Sequence, residues 1–156
     1  MSYDPGISGI SGASDVFLNN PQDSQVLGFS TGTGKWQNQT IATVSTETFT
    51  NMGALVVGTG ANRLYNDSGI ARTITAVRAS VGTAPTGSNL IVDVNIDGTT
   101  IFPTQSERPT VITYQVTSGI VSRSTTWANG SYVTIDIDQI GSTAAGADLT
   151  VTVTYS

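Results

Sequence analysis

The sequence predicts an all-β protein: an antiparallel, jelly-roll-like β-sandwich preceded by an extended N-terminal arm and a short β-hairpin segment. Three observations carry this. First, three stretches alternate apolar and polar residues with period two, the mark of half-buried strands. In Leu90–Asp97, the residues Leu90, Val92, Val94 and Ile96 oppose Ile91, Asp93, Asn95 and Asp97. Val133, Ile135 and Ile137 alternate with Tyr132, Thr134, Asp136 and Asp138, and Leu149, Val151, Val153 and Tyr155 with Thr150, Thr152 and Thr154. Second, no window sustains a helical period. Third, turn chemistry recurs at short intervals, as in sandwiches and jelly rolls.

In chain order, residues 1–14 read as a Gly/Ser-rich flexible tether. Gly6-Ile7-Ser8, Gly9-Ile10-Ser11 and Gly12-Ala13-Ser14 place Gly at every third position. Three triplets without proline are too few for a stable collagen-like triple helix, so the tether reading is preferred. Residues 15–45 form a joining segment. Val16-Phe17-Leu18 is apolar, Asn19–Asp23 turns the chain, Val26–Phe29 is a strand, and Lys35–Asn38 begins its partner after the Ser30–Gly34 loop. So short a segment cannot bury a core of its own. Phe17, Leu27, Phe29 and Trp36 therefore need a covering surface, either the following domain or copies of the segment from other chains.

Residues 46–156 are the sandwich domain. Its expected strands are Ala54–Val57, Arg63–Tyr65, Ala71–Val81, Leu90–Asp97, Thr100–Phe102, Val111–Val116, Tyr132–Gln139 and Asp148–Tyr155. Asp97-Gly98 supplies the tight turn of a hairpin, since both residues tolerate positive φ.

Composition excludes several function classes. The chain has no Cys and no His, which removes disulfides, thiolate metal sites and nucleophile schemes built on an imidazole base. Charged residues make up 11%, against a usual value of about 25%. The net charge is −5 and the arginines are scattered singly, which disfavours nucleic acid. No apolar run approaches the roughly 18 residues of a membrane span, so membrane insertion is not expected. The N-terminus lacks the basic start and apolar core of a signal peptide.

Four constellations are candidates for chemistry. Asp93-Val94-Asn95-Ile96-Asp97-Gly98 matches the first half of a calcium loop, but the twelfth position is Thr104 where a bidentate Glu is required. Asp93, Asn95, Asp97, Asp136 and Asp138 lie on polar faces of two strands. They would converge on a hard cation if those strands are neighbours, or stay as solvated outer faces. No metal ligand, cofactor or catalytic residue is assigned, and no pair of carboxylates stands out for glycoside hydrolysis. Trp127, Asn129, Arg123 and Tyr132 are the candidate ligand-binding residues. A loop Trp, joined by Tyr132, Tyr114 and Tyr65, offers a platform for a sugar ring, with Asn129 and Arg123 supplying hydrogen bonds. The alternative is that Trp127 packs on the sandwich end or in a contact between copies. The glycosylation-like triplets at Asn38, Asn66 and Asn129 read as turns and strand edges.

The run SDVFLNNPQDSQVLGFSTGTGKWQNQT resembles a segment of bacteriophage tail-fibre and minor tail proteins, matching at Asp15, Asn20, Pro21, Asp23, Gln25, Val26, Leu27, Gly34, Lys35, Trp36 and Asn38. The chain carries one copy where the family carries a series. Thr73–Phe102 and Tyr132–Tyr155 are similar to C-terminal domains of actinobacterial and related phage tail proteins. The resemblance implies a shaft-like joining segment and a homotrimeric, non-enzymatic virion protein of the phage tail. Its partners would be other virion proteins, through the N-terminal segment, and a host cell-surface glycan. An adaptor or head-decoration fibre without a ligand is the alternative.

Overall fold

The computed structural model describes residues 14–23, 25–40 and 43–156; the tether expected over residues 1–14 lies almost wholly outside them. The chain divides into two units, residues 1–43 and 44–156. All regular elements among the described residues are strands except one three-residue 3-10 turn, Gln105–Glu107.

The first unit is a three-stranded sheet, ordered β1-β3-β2, from β1 (Val16–Phe17), β2 (Gln25–Ser30) and β3 (Lys35–Thr40). The expected hairpin is present: β2 and β3 are antiparallel, Phe29 opposite Trp36, and β1 runs parallel to β3 with Val16 also opposite Trp36. Residues directly opposite share a face, so Val16, Leu27, Phe29 and Trp36 lie together. Phe29 and Trp36 meet edge to face at 5.6 Å. Both stay broadly exposed, at 51% and 41%, because the first unit has a single layer and no second layer of its own to cover it.

The second unit is the sandwich. Its strands are β4 (Ser45–Ala54), β5 (Leu64–Tyr65), β6 (Arg72–Thr83), β7 (Leu90–Ile96), β8 (Thr99–Thr100), β9 (Thr110–Val111), β10 (Val121–Trp127), β11 (Tyr132–Gln139) and β12 (Ala147–Tyr155). Sheet I has the order β10-β6-β12-β4; sheet II has the order β5-β11-β7-β8, with β9 also on β7. Every pairing within these sheets is antiparallel. The chain changes sheet at nearly every connection, staying in sheet II only from β7 through β9. That path is the double Greek key of a jelly roll.

The period-two residues form the core. Leu90, Val92 and Val94 of β7 and Val133, Ile135 and Ile137 of β11 face Val77, Ala79 and Val81 of β6 and Leu149, Val151 and Val153 of β12. The β7–β8 hairpin turns at Asp97 (φ 50°) and Gly98 (φ 80°), the two positive φ values of a type I′ turn.

Three expectations are corrected. Ala54–Val57 is not a strand: Leu55 enters the core while Val56 and Val57 stay exposed, and the strand before them is β4. The Val111–Val116 strand stops at Val111, since Val111 pairs with Leu90 and the following residues have no ladder to join. The strand β10 was not anticipated at all.

Chain entry and exit share one end of the sandwich, where Ser45 pairs with Tyr155 and Tyr155 with Ile74. Loops 66–71, 97–98 and 128–131 gather there. The opposite end carries the loops around Pro85, Tyr114 and Ala144, tied by Tyr114 N–H to Pro85 O (3.0 Å) and Thr86 N–H to Ala144 O (2.9 Å).

Candidate functional site

The entry end holds a small cleft of about 170 Å³, with Glu47, Tyr65, Asp67, Arg72, Trp127 and Tyr155 among its walls. Its frame is built around Asn66, only 3% exposed. The Asn66 side-chain amide donates to Ile70 O (2.9 Å) and Trp127 O (2.9 Å), and its Oδ1 accepts from the Ser68 hydroxyl (2.7 Å). The Asn66 carbonyl accepts from Gly130 N–H (2.8 Å), and its N–H donates to Ser131 O (2.9 Å). One buried amide thus locks loop 66–71 to loop 128–131. Asn129 Oδ1 adds a second clasp by accepting from Gly69 N–H (2.8 Å). Asn66 was legible in the sequence only as a turn residue.

Trp127 ends β10 and is 3% exposed, so its ring presents no open platform. Its Nε1 donates to Ser131 O (3.1 Å), and the ring meets Tyr155 edge to face at 5.4 Å. This is the packing alternative: Trp127 is the floor of the cleft and the plug of the sandwich end. The aromatic surface is supplied instead by Tyr65 and Tyr132, opposite each other on β5 and β11 with ring centroids 5.5 Å apart. Arg63 Cζ lies 4.9 Å from the centre of the Tyr132 ring, a cation–π contact that braces it. Tyr65 is half exposed and belongs to both the pair and the cleft.

Of the four sequence-derived residues, Trp127, Asn129 and Tyr132 come together at this end. Arg123 does not: it lies mid-strand on β10, with Nη1 3.6 Å from Glu107 Oε2. The cations near the aromatics are Arg63 and Arg72, the latter donating from Nε to Ser68 Oγ (3.1 Å). Tyr114 stands at the far end, so the expected aromatic surface is split between two ends.

The aspartate faces resolve differently. β7 and β11 are neighbours, with Asp93 directly opposite Asp136. The cation among them belongs to the chain itself. Arg108 places Nη2 2.9 Å from Asp93 Oδ2 and Nη1 2.6 Å from Asp138 Oδ2. Asp93 Oδ1 accepts from Val94 N–H (2.8 Å) and Thr100 Oγ1 (2.6 Å), and Asp136 Oδ1 accepts from Gly60 N–H (2.9 Å). The face is only partly solvated: Asp93, Asn95 and Thr134 are buried, Asp136 and Asp138 are half-buried, and Asp97 is exposed. Burial pushes the Asp93 carboxyl above the ordinary 3.8 despite the Thr100 hydroxyl and Arg108 pulling it down. Asp97 moves the other way, held below 3.8 by the Tyr132 N–H (3.0 Å) and then by the Ser131 side chain. Among the described residues no group of three acidic side chains is placed to hold a metal ion, and no helix is long and apolar enough to cross a membrane.

The fold and this end together define a jelly-roll domain with an aromatic, charge-rimmed cleft. No protein family, curated protein or solved structure matches the chain.

Proposed function

We propose that this chain is a non-enzymatic virion protein of a phage tail, a homotrimer whose jelly-roll domain attaches to a host-surface glycan. The observation that carries the attachment is the Tyr65–Tyr132 pair, of which Tyr65 is half exposed and also lines the cleft of Glu47, Asp67 and Arg72. Apolar ring faces suit the C–H side of a sugar, and the charged rim suits its hydroxyls. The cleft is smaller than the roughly 300–1,000 Å³ that encloses a drug-sized ligand, so it suits one sugar unit of a longer chain. Three such sites on a trimer turn weak single contacts into useful avidity. The tail-protein resemblance of Ser14–Thr40 supports the virion setting and the joining role of the first unit.

The test is binding of fluorescent full-length chain to an array of bacterial surface polysaccharides. Tyr65→Ala and Tyr132→Ala are each expected to weaken binding about tenfold, the loss of roughly 1.4 kcal/mol. Binding that survives the double substitution removes this cleft as the site. A second reading, an adaptor without a ligand, is favoured by the exposed Leu27, Phe29 and Trp36 on one face of the first unit's sheet, which would serve as its joining surface. Absence of binding to every glycan and to whole cells would favour it.

A further inference from the structure

The sandwich is not sealed along one side. In sheet II, β5 pairs only with Tyr132 and Val133, so Ile135 and Ile137 of β11 have no edge strand beside them. The segment 56–62 lies there instead, joined to β11 by the Gly58–Ile137 bridge. Its Gly58, Gly60 and Ala61 bring almost no side chain to fill the gap. Between this segment and β4 of sheet I lies a cavity of about 400 Å³. Phe49, Ile135, Ile137, Leu149 and Val151 line it from both sheets. Ile135, at 8%, is the most exposed residue of the buried core, so the cavity reaches the core itself. Packed interiors hold few voids larger than a water molecule, and this space is many times that size.

The lining selects the occupant. The volume falls within the roughly 300–1,000 Å³ of small-molecule pockets, which the entry-end cleft does not reach. Apolar walls with a few hydrogen-bonding groups, here Asn51, Thr59 and Asn62, are the composition of such pockets. No lining side chain is charged, so an ionised group entering the cavity would lose water without gaining a partner. A strand from another chain is the poorer fit. The ladder of β4 on β12 shifts register between Asn51 and Ala54, and the charged Glu47 lies inward farther along the same strand. Both are devices that keep an edge from pairing with a foreign strand.

We infer that this cavity binds a small, uncharged, largely apolar molecule between the two sheets. Phe49, Ile135 and Ile137 take its apolar body, and Asn51, Thr59 and Asn62 offer hydrogen bonds to its neutral polar groups. The cavity shares no lining residue with the entry-end cleft, so this site is distinct from the proposed glycan site.

The probe is N-phenylnaphthylamine, a neutral aromatic dye whose fluorescence rises in apolar surroundings, titrated into the full-length chain. Its anionic counterpart, anilinonaphthalene sulfonate, has the same ring system and is titrated in parallel. The neutral dye is expected to saturate a single site and to bind roughly tenfold or more tighter than the anion. In methyl NMR spectra the signals of Ile135 and Ile137 should move as it binds, while that of Ile74, buried on β6 outside the lining, stays in place. Val57→Asp, at an exposed lining position, and Asn51→Trp, which fills the mouth, should each weaken the neutral dye about tenfold. Met52→Asp, at an exposed position outside the lining, is the control and should leave its affinity unchanged. Absence of saturable binding, binding that leaves Ile135 and Ile137 unmoved, or equal affinity for the two dyes overturns the inference. So does an equal loss in Met52→Asp and Val57→Asp, which would trace the effect to surface charge and not to the cavity. Glycan binding on the array is judged independently of each of these results.

Discussion

Two aspartates four residues apart on one hairpin are driven in opposite directions by their surroundings. Asp93 is buried, and its carboxyl is raised above 3.8; Asp97 is fully exposed, and its carboxyl is lowered by the Tyr132 N–H. For Asp93 the folded state holds the proton more tightly than the unfolded chain, so its contribution to stability declines as pH rises from 3.8 through the raised folded value. For Asp97 the contribution is present above 3.8 and is lost as pH falls through the lowered folded value. Carboxyl NMR titration should therefore place the Asp97 midpoint below that of Asp93. Arg108 makes the ionised Asp93 tolerable at neutral pH. Arg108→Met leaves that carboxylate buried without its partner, at an expected cost of about 2–4 kcal/mol in urea denaturation at pH 7. The deficit should shrink in acid as Asp93 is protonated; a deficit that stays constant with pH would contradict this account. Gly98 has open space around its Cα and φ of 80°, so Gly98→Ala should cost only the left-handed backbone penalty, about 1 kcal/mol.

At the scale of elements, the segment 56–62 behaves as an extra rail on β11. Gly58 and Ile137 exchange backbone hydrogen bonds of 3.0 and 2.9 Å, and Gly60 donates to Asp136. A Cβ at Gly60 would sit 2.0 Å from the Ile135 carbonyl oxygen, whereas one at Gly58 would meet nothing within 4 Å. Gly60→Ala should therefore destabilise by about 3 kcal/mol or more, because backbone cannot yield as a side chain can. Gly58→Ala should change thermal stability little. Equal effects of the two would mean that the rail does not seat as described. The same scale explains the two strands that the sequence hides. β4 and β10 are the outer strands of sheet I. In β4 the inward residues Ser45, Glu47, Phe49 and Asn51 include a single large apolar side chain, and in β10 Arg123 and Thr125 stand between Val121 and Trp127. An edge strand buries less, so its alternation is written in Thr and Ser rather than in Val and Ile. Conversely, Val56, Val57, Ile112 and Val116 are apolar and outside any strand, and no local pattern tells them from core.

At the scale of the molecule, the two units differ in what they can bury. The sandwich packs two layers; the first unit has one, with a face of Val16, Leu27, Phe29 and Trp36. The chain's two tryptophans report on this separately, Trp127 buried and Trp36 41% exposed. In a Trp127→Phe variant the emission of Trp36 should shift to the blue as protein concentration rises and copies cover the sheet. Emission that is independent of concentration in an oligomeric sample would show that copies do not meet on this face.

What the sequence determined by itself is the all-β class, the central strands β6, β7, β11 and β12, the Asp97-Gly98 turn and the β2–β3 hairpin. Each is a local property: a period of two, or a φ that few residues accept. The structure alone decided what the polar faces and loops are for. Asp93 and Asp138 came to share Arg108, Trp127 sank into the sandwich end, and Tyr65 rather than Trp127 came to the surface. Those outcomes depend on which strands become neighbours and which edges remain open. Pairings between residues dozens of positions apart set them, and no local pattern encodes such pairings.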